Sequence, residues 1–302
     1  MSVAYIISEY GKVSRDGEHL VFTSKDGKSR PILLFQTQLL VLGSYVSVTG
    51  EAFHELFKNR IPVLFMSRSG TFKACIQYDE AKNVFLRQTQ YRLLDDPEGS
   101  LLIARAIVAG KIQNQLTYMQ RITRRKCPGG EAEEAVAQIK RLSHDVAECG
   151  EMNALRGLEG MAAKVYFSVL KYNILPDWAE FPCSTKHPPK TNVNAVLSFL
   201  YALLSNRIQC ALEAHSLDCM AGTLHSTQYG RMSLVYDIME EFRTCVADTL
   251  CCSLFNRGTL AQDDFWQTEN ADAVYLNENG RRESIHSLRV QVRRHHVLRD
   301  SL

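Results

Sequence analysis

The hydrophobic period of this chain changes once, near residue 80, and that change restricts the fold to two differently built parts. Residues 1 to about 78 carry short β-branched or aromatic runs: Ala4-Tyr5-Ile6-Ile7, His19-Leu20-Val21-Phe22, Pro31-Ile32-Leu33-Leu34-Phe35, Gln38-Leu39-Leu40-Val41-Leu42, Val46-Ser47-Val48-Thr49 and Pro62-Val63-Leu64-Phe65-Met66. Gly11, Asp16-Gly17, Asp26-Gly27 and Ser69-Gly70 punctuate them, the pattern of strands joined by tight turns. One helix is predicted near Glu51 to Lys58, capped by Thr49, with Ala52, Phe53, Leu56 and Phe57 on one face.

Beyond Tyr78-Asp79-Glu80-Ala81-Lys82-Asn83 the apolar residues recur at helical spacing over Leu101 to Thr123, Ala132 to Ser168, Asn192 to Ala214 and Ser233 to Phe255. Cys127-Pro128-Gly129-Gly130 reads as a helical-hairpin turn, and Pro176 to Lys190 as a proline-rich loop. The expected fold class is α+β. A small N-terminal mostly-β domain covers residues 1–78, a linker 79–84, and a larger all-α C-terminal domain 85–302.

Composition narrows the class of protein. With 45% hydrophobic and 23% charged residues in 302, a sizeable core is available and global disorder is excluded. No apolar run approaches the roughly 20 residues that span a bilayer. The start, Met1-Ser2-Val3-Ala4-Tyr5, lacks the charged and apolar regions of a signal peptide, so a cytoplasmic protein without a membrane partner is expected. The nine cysteines contain no C-x-x-C pair, which points to reduced, buried thiols rather than to disulfides or zinc. A net charge of +2 does not announce a nucleic-acid binder, so any such activity rests on local patches. Two basic runs stand out, Arg121-Ile122-Thr123-Arg124-Arg125-Lys126 and the tail from Arg281-Arg282 through Arg289, Arg293 and Arg294; each equally suits a solvated helix end.

The chemistry concentrates in three separated segments. These are Arg156-Gly157-Leu158-Glu159-Gly160-Met161-Ala162-Ala163-Lys164, Leu224-His225, and Tyr236-Asp237-Ile238-Met239-Glu240-Glu241-Phe242-Arg243. Asp237 and Glu240 are three apart, so on a helix they share a face and their carboxylates can converge on one ion. Glu159 and His225 have to be brought in by folding. Carboxylates favour a hard cation such as Mg²⁺, and one imidazole widens the choice towards Mn²⁺, a set suited to metal-assisted phosphoryl transfer. Taken singly, Glu159 also reads as an exposed helix carboxylate, Glu240 as half of a solvated pair with Glu241, and His225 as a surface histidine. Asp237 is harder to dismiss, because it sits between Val235-Tyr236 and Ile238-Met239, and a buried carboxylate there needs a partner.

The sequence closely resembles the CRISPR-associated spacer-acquisition integrases, the Cas-one family, from about residue 4 to residue 290. The resemblance runs through Arg60-Ile61-Pro62-Val63-Leu64-Phe65-Met66-Ser67-Arg68-Ser69-Gly70, Arg87-Gln88-Thr89-Gln90-Tyr91-Arg92 and Ile107-Val108-Ala109-Gly110-Lys111-Ile112-Gln113-Asn114-Gln115. It continues through Arg156 to Phe167 and Asn192-Val193-Asn194-Ala195-Val196-Leu197-Ser198-Phe199-Leu200-Tyr201. It implies that Glu159, His225 and Glu240 ligate a catalytic Mg²⁺ or Mn²⁺, while Asp237 ligates, orients a water or hydrogen-bonds a neighbour. Two departures stand near the site. Ser216-Leu217-Asp218-Cys219 replaces a Gly-Leu-Asp-Pro turn, and Thr244 replaces a proline, so the helix after Phe242 is expected to run on with less interruption.

The activity implied by the resemblance is insertion of short duplex DNA into a CRISPR array, by 3′-hydroxyl attack on a phosphodiester, with associated endonuclease activity. The partners it implies are double-stranded DNA, a second copy of the chain joined through the β domain, and the small ferredoxin-like Cas-two protein. Lys164, Arg231 and Arg243 are candidate DNA-phosphate contacts by their nearness in sequence to the site, and ordinary surface cations otherwise. A plain metal-dependent DNA nuclease and a non-catalytic DNA-binding scaffold are the rival readings.

Overall fold

The computed structural model describes residues 2–7, 10–67, 70–77, 83–126, 130–181, 188–268 and 271–299, with backbone alone for 2, 123–126, 271–272 and 292–299. The chain forms two compact units, one of Met1–Glu80 with Leu276–Leu302 and one of Ala81–Tyr275. The linker expected over 79–84 lies outside the described residues up to residue 82. Most of the turn at Cys127-Pro128-Gly129 and the centre of the proline-rich loop, 182–187, also lie outside them.

In the first unit the chain runs β1 (Ser2–Ile6), β2 (Gly11–Asp16), β3 (His19–Ser24), β4 (Ser29–Ile32), β5 (Thr37–Gly43), β6 (Val46–Val48), α1 (Gly50–Lys58), β7 (Val63–Met66) and β8 (Phe72–Ile76). Two four-stranded sheets result, in the orders β1-β5-β7-β8 and β4-β3-β2-β6. Gly17 and Gly27 take positive φ of 62° and 78° at the hairpin turns that their Asp-Gly pairs predict. Thr49 caps α1 by accepting the Ala52 amide at 3.2 Å. The core joins both sheets to α1, with Ile6, Val13, Leu20, Phe22, Leu40, Leu42, Leu56 and Val63 among its members.

The strand expected over Pro31 to Phe35 ends early. After Ile32 the chain turns through a 3₁₀ segment at Leu34–Gln36, the Thr37 hydroxyl donates to the Leu33 carbonyl, and Phe35 is 76% exposed. β2 and β8 carry no apolar run of the expected kind: β2 buries only Val13, and β8 leaves its residues half-buried or exposed.

The second unit is helical. It contains α2 (Val84–Leu94), α3 (Pro97–Lys126), α4 (Glu131–Glu148), α5 (Met152–Leu170), α6 (Asn192–Ala214), α7 (Ser233–Phe242) and α8 (Thr249–Asn256). A ribbon of β9 (Phe265–Thr268) and β10 (Ala271–Leu276) follows, and then α9 (Glu278–Arg299). The division expected from sequence placed 85–302 together, whereas by compactness α9 groups with the strand-rich unit, where it packs on β1. Of the expected basic runs, the side chains of 123–126, Arg293 and Arg294 lie outside the described residues. α6 is long and apolar enough to cross a membrane by length and composition, but 67% of its apolar window is buried in the fold, as for a core helix. The described cysteines form no disulfide.

Three helices frame the functional side chains. α3 packs against α5 and α7, and α6 packs against α7. The α3–α7 approach is close: a Cβ on Gly110 would lie 3.1 Å from the Glu241 carboxyl carbon, and the Asn114 amide donates to the Glu241 carbonyl at 2.9 Å. Beyond Phe242 the helix does run on, through a π-helical segment at Arg243–Asp248 into α8. Such a wide turn displaces the following residues relative to a regular helix.

Candidate metal centre

Asp237 is the most deeply built member of the site. It is 0% exposed on α7, and its carboxylate accepts four N–H groups from the loop before the helix. Oδ2 takes the amides of Thr223 at 2.6 Å and Leu224 at 2.9 Å. Oδ1 takes the His225 amide at 2.9 Å and its ring Nδ1 at 2.7 Å. A carboxylate offers about four acceptor positions, so Asp237 has none left for an ion. It folds the Thr223–His225 loop and holds the imidazole through Nδ1, which leaves Nε2 as the ring nitrogen that Asp237 does not engage. Of ligation, water orientation and hydrogen bonding, the geometry supports hydrogen bonding.

Two further contacts fix that loop. From α5, Arg156 Nε donates to the Leu224 carbonyl at 2.7 Å, and Nη1 reaches Asn153 Oδ1 at 3.1 Å. From the start of α7, the Ser233 hydroxyl donates to the Ser226 carbonyl at 3.0 Å. Gly222 makes the approach possible, since a Cβ there would lie 2.6 Å from the Ser233 carbonyl carbon and 2.7 Å from Asp237 Oδ2. The altered turn ahead of the loop is anchored from α2: Gln90 donates to the carbonyls of Asp218 at 2.8 Å and Ala221 at 3.0 Å, and accepts the Asp218 amide at 2.9 Å.

Asp237 and Glu240 share a face of α7, as their spacing predicts, but in the structure their carboxylates have different partners. Glu240 is directed elsewhere. Its Oε2 receives the Lys111 ammonium at 2.5 Å, and its Oε1 lies 3.2 Å from Arg243 Nε. Burial pushes the Glu240 carboxyl up, but Lys111 and then Arg243 outweigh it, and the pKa lies below its ordinary value. The His225 imidazole is near enough to act on Glu240 in the same direction.

Glu159, on α5, is half-buried, and its Oε1 pairs with the same Lys111 ammonium. One cation thus joins the two glutamates that spacing alone could not connect. Lys111 was not singled out as a site residue from sequence. Its signal was a lysine set among Ile107, Val108 and Ile112 in an apolar helical stretch. Among the described residues, no three histidine, cysteine or acidic side chains are gathered closely enough to hold a metal as they stand.

The donor chemistry nevertheless suits a divalent cation. Two carboxylates already converge on a positive charge, the tethered ammonium standing where a cation would be attracted, and an imidazole oriented by Asp237 is near enough to act on one of them, Glu240.

The candidate phosphate contacts differ in setting. Lys164 is exposed on α5, and Arg231 is half-buried in the turn before α7. Arg243 faces inward, with its guanidinium 4.6 Å over the Tyr201 ring and against Glu240. Below it Asp248, 1% exposed, accepts the hydroxyls of Tyr201 at 2.5 Å and Tyr166 at 2.9 Å. Burial pushes the Asp248 carboxyl up to about 6, against the pull of those two hydroxyls and of Arg243.

The family model described as CRISPR associated protein Cas1 matches residues 5–289. The chain belongs to that family. A curated relative from Chlorobaculum tepidum, named CRISPR-associated endonuclease Cas1 1, is 31% identical over 94% of this chain and 84% of its own length. One from Rhodospirillum rubrum, CRISPR-associated endonuclease Cas1 2, is 32% identical over 100% of this chain and 90% of its own. Among solved structures, a CAS1 protein from Thermotoga maritima superposes with a TM-score of 0.82 at 24% identity, covering 97% of this chain and 91% of that one. A Cas6-RT-Cas1–Cas2 complex gives 0.76 at 26% identity, with 95% of this chain and 32% of the other covered. The α+β fold class agrees with the family: a strand-rich N-terminal region followed by a helical one.

Proposed function

We propose that this chain is a metal-dependent DNA integrase of CRISPR adaptation with DNA endonuclease activity, working at the Glu159, His225 and Glu240 centre. The observation that carries the reading is the convergence of the Glu159 and Glu240 carboxylates on one cation, with an imidazole whose Nδ1 is committed to Asp237 close enough to act on Glu240. Carboxylate donors favour Mg²⁺, and the imidazole extends the range to Mn²⁺. When bound by Glu159, His225 Nε2 and Glu240, such an ion supplies positive charge to a phosphoryl oxygen and to the leaving or attacking oxygen of a phosphodiester.

The protein's own groups supply the positioning. Asp237 fixes the loop and the imidazole tautomer, and Arg156 holds the Leu224 carbonyl so that the loop cannot swing from α5. Arg243 is assigned to orienting Glu240 rather than to DNA, because its charge is used on that carboxylate and on the Tyr201 face. Lys164 and Arg231 remain the proposed phosphate contacts, the first on the same helix as Glu159 and the second at the entry to α7.

The incoming group is the 3′-hydroxyl of a short DNA duplex. It attacks a phosphodiester of the array, displacing the 3′-oxygen of that strand as one ester bond is exchanged for another. Water in place of the hydroxyl gives hydrolysis, which agrees with the endonuclease names of the curated relatives. A Cas1–Cas2 assembly among the solved relatives supports the Cas-two protein as the partner. Pairing of two copies through the strand-rich unit belongs to the same proposal.

A strand-transfer assay tests it, with labelled duplex, a plasmid array, the Cas-two partner and Mn²⁺. Joined product that disappears in Glu159→Ala and His225→Ala is expected. Cleavage without joining marks a plain nuclease, and integration unchanged in both variants overturns the assignment.

A further inference from the structure

We propose that Lys111 is a tethered counter-ion that holds the Glu159 and Glu240 carboxylates together in the metal-free protein and has to leave them when a divalent cation binds. The inference rests on the reading of Glu159, His225 and Glu240 as metal ligands, and goes beyond it by making metal entry an exchange of one cation for another.

The first support is placement. Lys111 is 6% exposed on α3, and its ammonium touches two oxygens from two other helices, Glu159 Oε1 on α5 and Glu240 Oε2 on α7. A buried ammonium loses its hydration and persists only where hydrogen-bonded anions replace that hydration. The absence of a side chain at Gly110 and the Asn114 bond to the Glu241 carbonyl bring α3 close enough to α7 for the lysine to span the gap.

The second support is charge. Lys111 and Arg243 carry two positive charges against the two negative ones of Glu159 and Glu240, so this set is neutral as it stands. Asp237 is balanced separately by three backbone amides and the imidazole. A divalent ion added with Lys111 in place leaves the four side chains and the ion at a net +2 in a partly buried site, where like charges a few ångströms apart repel strongly. With the ammonium withdrawn that charge falls by one full unit, so the free protein with Lys111 in place holds the ion weakly. Lys111 is a positioning residue in this scheme, acting through the two carboxylates.

The experiment is a calorimetric Mn²⁺ titration of the full-length protein without DNA, comparing the parent with Lys111→Met, Lys111→Gln and Glu159→Gln. Circular dichroism is recorded for each to show that it is folded. Removing the competing charge is expected to tighten Mn²⁺ binding by at least about tenfold in both lysine variants. Both should also melt below the parent without metal and gain more in melting temperature than the parent on adding Mn²⁺. A folded Lys111→Met or Lys111→Gln protein that binds Mn²⁺ no more tightly than the parent overturns the counter-ion role, even though the metal centre itself stands. Glu159→Gln separates the two: if parent binding is unchanged by that substitution, the metal-centre reading fails, and the proposal with it.

Discussion

Replacing Asp237 by asparagine changes one atom and removes the group on which the His225 loop is built. The carboxylate, 0% exposed, accepts four N–H groups at 2.6–2.9 Å. An amide keeps one acceptor oxygen and turns two donors towards the rest. If its oxygen replaces Oδ2, the amides of Thr223 and Leu224 stay bonded, while the His225 amide and ring Nδ1 face a donor. Hydrogen bonds to a charged acceptor are each worth about 1.5–3 kcal/mol, so losing two costs about 3–6 kcal/mol of stability. At roughly 2 °C per kcal/mol for a large domain, the melting temperature should fall by about 6–12 °C. The imidazole loses the partner that selects its tautomer, a kind of loss that lowers metal affinity by about 10–100-fold. Calorimetric melting and Mn²⁺ titration of Asp237→Asn read both effects. A variant that melts with the parent and binds Mn²⁺ within about twofold of it would refute the assignment of Asp237 as the organiser of His225.

Other perturbations report on neighbouring parts. Gly222→Ala forces a Cβ to within 2.6 Å of the Ser233 carbonyl carbon, where rigid backbone cannot yield; a loss of about 1–3 kcal/mol is expected by chemical denaturation, and a parent-like midpoint would show that the loop relaxes freely. Arg156→Ala leaves the Leu224 carbonyl without its 2.7 Å donor, and should lower stability by about 1–3 kcal/mol and weaken Mn²⁺ binding less than Asp237→Asn does. Asp248 gives a pH signature. Its carboxyl, raised from 3.8 to about 6, keeps its proton in the folded chain where the unfolded chain has lost it. Its contribution to unfolding free energy therefore falls by about 3 kcal/mol as pH rises through that interval and is level above it. The stability difference between the parent and Asp248→Asn should narrow by that amount between about pH 3.5 and pH 7. A difference constant with pH would contradict the buried carboxylate's raised pKa.

The division into strands and helices was legible because its signals are local. Asp-Gly pairs and β-branched runs marked the hairpins, and the threonine ahead of Glu51 marked a capped helix. β2 escaped because five of its six residues are not buried, so no apolar run announces it. The grouping of α9 with β1 escaped because it joins the two ends of the chain, a contact that no local pattern encodes. Within the site, Asp237 was flagged for a physical reason, a carboxylate in an apolar stretch that needs partners, and four donors surround it. A shared helix face permits Asp237 and Glu240 to meet but does not require it: the loop engages one carboxylate and Lys111 the other. In the sequence Lys111 stands out only within the segment that carries the family resemblance. That it sits against Glu159 depends on the packing of α3 on α5, which is written in no single segment.

The most direct test of the centre is anomalous diffraction from crystals grown with Mn²⁺. The expected result is one manganese peak bonded to Glu159, His225 Nε2 and Glu240, with Asp237 still on His225 Nδ1 and the Lys111 ammonium withdrawn from the two glutamates. A peak bound elsewhere, or a map in which Lys111 still bridges Glu159 and Glu240 at saturating Mn²⁺, would contradict it.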